Sequence, residues 1–116
     1  MANTFKVKTN AAMPASAGTP LTVYTCPSST QTIIVGLLLC NVHTASVTAS
    51  VNMQSDTSDT ETNENVKLIS TVTIPANSTL EVLTGGKIVM RATDVLQIDC
   101  SVTAKLDATL SILEIT

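Results

Sequence analysis

From Leu21 to the C-terminus, short runs of alternating apolar and polar residues are separated by turn-forming residues. Alternation of period 2 marks a half-buried strand, because successive side chains point to opposite faces. Leu21–Thr25 alternates and stops at Cys26-Pro27, where proline cannot donate to a ladder. Thr32–Asn41 (TIIVGLLLCN) is apolar on both faces. Its length and β-branched start predict a central strand rather than a short buried helix, with Gly36 marking a bulge or a close backbone approach. Ser46–Met53 places Val47, Ala49, Val51 and Met53 on one face and Thr48, Ser50 and Asn52 on the other. Val66–Ile74 alternates, and Pro75–Ser78 turns. Leu80–Leu83 and Ile88–Met90 read as short strands around a tight Thr84-Gly85-Gly86 turn. After an Arg91–Asp94 turn, Val95–Thr103 directs Leu96, Ile98, Cys100 and Val102 inward. Ala108, Leu110 and Ile112 carry one apolar face on toward the C-terminus, where Leu113 and Ile115 make the other face apolar too.

These runs predict about eight strands at regular spacing, hence an all-β fold, an antiparallel β-sandwich or jelly roll. Residues 21–116 form the sandwich in this reading. The expected core is Val35, Leu37, Leu39, Val51, Leu68, Val72, Leu96, Ile98, Leu110 and Ile112. Residues 1–20 differ. AAMPASAGTP (residues 11–20) is small, proline-containing and aperiodic, and predicts a flexible N-terminal arm. Within it, Phe5 and Val7 alternate with Lys6 and Lys8, which allows a short edge strand.

Composition strengthens the β reading: Thr, Val and Ile supply 20, 12 and 8 of the 116 residues. It also bears on the surface. Only 13% of residues are charged and the net charge is −3, against about 25% charged in ordinary soluble domains. Two accounts fit. Either neighbouring subunits cover part of the surface, or the 20 Thr and 11 Ser keep it soluble. The charge offers no footprint for nucleic acid or an anionic membrane. The N-terminus has no apolar core of a secretory signal, and the longest apolar run, Ile33–Cys40, is too short to span a bilayer. Cys26, Cys40 and Cys100 cannot all pair within one chain and match no zinc spacing, which favours assembly in a reducing cytoplasm.

Candidate chemistry is thin. His43 follows a strand with no carboxylate pattern beside it and reads as a loop histidine. Gln54–Asn65 carries Asp56, Asp59, Glu61 and Glu64. A solvated hairpin tip is the favoured reading, with weak Ca²⁺ binding as the alternative. Asp94 suits a turn in which its side chain bonds the local backbone. No nucleophile elbow, phosphate loop or zinc-protease motif occurs. With one Tyr, one Phe and no Trp, a sugar or single-strand binder that works by stacking is also disfavoured. The expectation is a protein with no enzymatic activity, cofactor or metal, whose work is contact with other proteins.

Val23-Tyr24-Thr25-Cys26-Pro27, the strand Thr32–Asn41, Ile74-Pro75-Ala76-Asn77-Ser78-Thr79-Leu80-Glu81, Gly85–Val89, Ala92-Thr93-Asp94 and Leu113-Glu114-Ile115 occur in that order. With them the chain resembles small β-sandwich structural proteins of tailed bacteriophage virions, common in phages of aquatic bacteria. Each motif is mostly turn chemistry, and their shared order over residues 21–116 carries the likeness. Cys26 departs from it, standing where such proteins often have an apolar residue. The resemblance implies a virion part assembled in the bacterial cytoplasm. A head decoration (cement) protein that binds the capsid lattice, with a trimer favoured, is the first expectation; a tail, neck or fibre protein is the alternative. The partners are then other virion proteins and copies of itself. Phe5, Lys6, Val7, Lys8, Ile34, Leu38, Leu113 and Ile115 are the expected contact residues.

Overall fold

The computed structural model describes residues 2–55, 62–83 and 86–116. Nine antiparallel strands form two sheets: β1 (Asn3–Met13), β2 (Leu21–Thr25), β3 (Gln31–Asn41), β4 (Val47–Gln54), β5 (Val66–Ile74), β6 (Thr79–Glu81), β7 (Ile88–Met90), β8 (Val95–Cys100) and β9 (Leu106–Ile115). One sheet runs β1-β9-β3-β6, with β7 also on β3; the other runs β2-β8-β4-β5. β1 pairs with β9, β2 with β8, β3 with β6 and β7, and β4 with β5. The chain is thus a long two-stranded ribbon folded back at the β4–β5 connection. It rolls up because β9 also meets β3 and β8 also meets β4. That winding is the jelly-roll form of the β-sandwich, as the strand rhythm predicts.

The core lies between the sheets. β3 and β9 supply Ile34, Leu37, Leu39, Leu106, Leu110 and Ile112; β4 and β8 supply Val47, Val51, Leu96 and Ile98. All are essentially inaccessible, which accords with the alternation of β4, β8 and β9. Three expected core positions behave otherwise. The β3–β9 register shifts between Ile34 and Gly36. The extra residue reverses the phase of everything before it. Val35 is therefore pushed outward, 41% exposed, while Ile34, expected at a contact surface, is 0% exposed in the core. Leu68 and Val72 are only half-buried and pack at the margin, because β5 is the edge of its sheet and its register against β4 shifts twice.

The N-terminal segment also differs from a free arm. Residues 3–13 are a strand paired with β9 from Asn3↔Ile115 to Met13↔Leu106. Its alternation is inverted. Thr4, Lys6, Lys8 and Asn10 lie opposite Glu114, Ile112, Leu110 and Ala108 and share their inward face, while Phe5 and Val7 point outward. Of β1's eleven residues only Met13 is buried.

The turns follow the sequence chemistry. Asp94 accepts from the Arg91 N–H at 3.0 Å and from the Ser55 hydroxyl at 3.0 Å. Asn77 and Thr93 take the left-handed conformation, with φ 57° and 73°. Buried Asn41 fastens the loop after β3. Its Nδ2 donates to the carbonyls of Ala45, Ile74 and Pro75, and its Oδ1 accepts from the His43 N–H. His43 is accordingly a loop histidine. The expectations for Asp56, Asp59 and Glu61 and for the Thr84-Gly85 part of the glycine turn lie outside the described residues.

Candidate interaction face

The two sheets present unlike outer faces. On the β2-β8-β4-β5 sheet, Thr22, Gln97, Asn52 and Lys67 stand side by side across all four strands. Gln97 donates to the Thr22 hydroxyl and accepts from Gln54, each at 3.2 Å. Such a ladder of amides and hydroxyls is suited to water.

The other sheet carries a corresponding cross-strand row of Phe5, Leu113, Ile33 and Val89, again one residue from each of four strands. Phe5 is 77% and Val89 58% exposed, with Leu113 and Ile33 half-buried between them. Val7, 63% exposed, and the bulged Val35 extend the patch; with Phe5 they line an open cleft of about 390 Å³. Ile115 continues it at one end and exposed Leu38 lies toward the other. A sandwich strand needs only one apolar face. Contiguous exposed apolar surface of this kind marks contact sites, since isolated exposed valines and leucines carry no such meaning.

Of the expected contact residues, Phe5, Val7, Leu38, Leu113 and Ile115 thus share this outer face, and Ile34 is withdrawn into the core. Lys6 and Lys8 point the other way. They line a cleft of about 420 Å³ between the adjacent edges β1 and β2, with Tyr24, Thr22 and Glu114.

That cleft leads to a polar cluster the sequence reading passed over. Glu114 continues the inward series Leu106, Ala108, Leu110, Ile112 of β9 and is 7% exposed. Its Oε2 accepts the Tyr24 phenol at 2.6 Å and its Oε1 accepts Lys6 Nζ at 2.8 Å. Because the phenol proton goes to Glu114, the Thr32 hydroxyl, 2.8 Å away, donates to the phenol oxygen. Cys26 sits 3.3 Å beyond Thr32, which explains a thiol where an apolar residue was expected: it fills space and ends the hydrogen-bond chain. The Lys6 ammonium, then the Tyr24 hydroxyl, hold the Glu114 carboxyl below its ordinary range. Burial, then the neighbouring carboxylate, drives the Tyr24 phenol well up, and burial raises the Cys26 thiol. This is a buried carboxylate neutralised by its neighbours, and it ties β1 to the body of the roll. The signal was in the β9 alternation, which directs residue 114 inward.

Comparison of the chain with protein-family models, with curated proteins and with solved structures finds no match.

Proposed function

We propose that the chain is a non-enzymatic structural component of a tailed-phage virion, a head decoration protein that assembles as a trimer and binds the capsid lattice. The observation that carries this reading is the apolar outer row Phe5–Leu113–Ile33–Val89, set against the polar ladder on the opposite sheet. One face of the roll is finished for water and the other for protein. The jelly-roll winding, the scarcity of charge and the ordered motifs shared with phage structural proteins support the same reading.

A cement protein stabilises by mass action, because it binds the assembled lattice and not its dissociated subunits. Particles lacking the chain should therefore gain resistance to heat or chelator disruption when the purified protein is added back. Phe5→Asp and Val89→Asp, at exposed positions, should abolish the gain while the protein stays folded. Add-back that leaves particle stability unchanged, with the chain found instead on tails, would replace decoration by the tail, neck or fibre reading.

A further inference from the structure

The apolar row ends at two opposite edges of its sheet, Phe5 on β1 and Val89 on β7. Each end adjoins a cleft, and the two clefts differ in charge. Beside Phe5 lies the β1–β2 cleft with Lys6 and Lys8, of which Lys6 is paired to Glu114. Beside Val89 lies a cleft of about 370 Å³ that includes Met53, Glu64 and Val66, with Arg91 next to buried Asp94. Glu64 closes the stretch whose sequence carries Asp56, Asp59 and Glu61. One edge is thus apolar with a basic flank, and the other is apolar with an acidic flank.

Because Phe5 and Val89 belong to one cross-strand row, they sit at the same height along the strands. Rotation about an axis parallel to the strands brings Phe5 of one molecule beside Val89 of the next. The strand directions allow it. β1 runs antiparallel to β9, β9 to β3, and β3 to β7. A neighbour's β1 placed against β7 is therefore antiparallel to it, the arrangement a sheet edge accepts most readily.

We infer that the partner of the β1 edge is the β7 edge of a second copy of this chain. The contact is head-to-tail, with Phe5 and Val7 against Val66 and Val89, and Lys8 facing Glu64. A head-to-tail contact about a rotation axis closes into a ring. The opposite flanks favour this pairing over like edges, which would set basic against basic. The inference rests on the oligomeric part of the function proposed above, not on location in a virion.

The test is disulfide trapping in the full chain, in a Cys40→Ser background that removes the one native thiol that is not buried. Phe5 and Val89 are three strand spacings apart within one molecule, about 14 Å, too far for an internal bond, which needs Cα atoms within about 7 Å. Combined Phe5→Cys and Val89→Cys should give a non-reducing ladder ending at one closed ring size. Phe5→Cys alone should give no covalent dimer. As a second reading, Lys8→Glu and Glu64→Lys should each weaken association about tenfold, and the two together should largely restore it. Covalent dimers from Phe5→Cys alone would show a two-fold contact and overturn the inference. So would a chain that stays monomeric at high concentration, or an oligomer that the double variant fails to trap. A trapped ring from a protein absent from virions would sink only the virion reading. A virion protein that stays monomeric would sink only this one.

Discussion

Ile34 and Val35 exchange the places that plain alternation gives them, and the reason is one extra residue between Ile34 and Gly36. Downstream of the bulge the phase is as expected, so Leu37 and Leu39 are inaccessible, as is Ile98 on the facing sheet. Leu37→Ala and Ile98→Ala should each cost about 2–5 kcal/mol in chemical denaturation. Val35→Thr should be nearly silent, and a large loss there would put the bulge elsewhere. Glu114 makes a second prediction. Its folded-state carboxyl is held below the ordinary value, near 4.3 for glutamate, first by Lys6 and then by Tyr24. The unfolded chain then binds the proton more tightly. The stabilisation is present above the ordinary value and is lost as pH falls through it and on through the folded value. A thermal scan from pH 6 to pH 2 should show wild type losing stability, and Glu114→Gln, which lacks the titration, losing less of it. Parallel curves would mean that Glu114 is not the linked group. The bulge was half-legible, since Gly36 flagged it without saying which neighbour would be displaced. Glu114 was fully legible in the β9 alternation, but a carboxylate is not a residue one first assigns to a core.

At the scale of elements, the eight strands after residue 20 lie close to where the alternating runs place them, because each is bounded by a turn with its own chemistry. β1 was only partly legible. Its inward positions hold Thr4, Lys6, Lys8 and Asn10 and its outward ones Phe5 and Val7, so the hydrophobic pattern does not announce a sheet strand. What makes it one is the free edge of β9, a property of the assembled sheet. Since only Met13 of β1 is buried, deleting residues 2–12 should leave a folded roll of lower melting temperature. The β9 amides that bond to β1 should lose hydrogen-exchange protection, while β8 and β4 keep theirs. Global unfolding on deletion would show that β1 is integral to the core rather than laid along it.

For the whole molecule, the decisive feature is the unlikeness of its two outer faces. A Thr- and Ser-rich surface explains the low charge only on the sheet of Thr22, Gln97, Asn52 and Lys67. The sheet of Phe5, Leu113, Ile33 and Val89 has its apolar side turned to solvent in the single chain. That face was foreseen from the double-sided runs in β3 and β9. Its extension to the β1 and β7 edges was not, since it depends on register across four strands. The most direct test of the virion account is the copy number of this chain in purified virions, measured by quantitative mass spectrometry against the major capsid protein. A decoration role predicts copies on the scale of the capsid lattice. Absence of the chain from infectious particles would contradict the account.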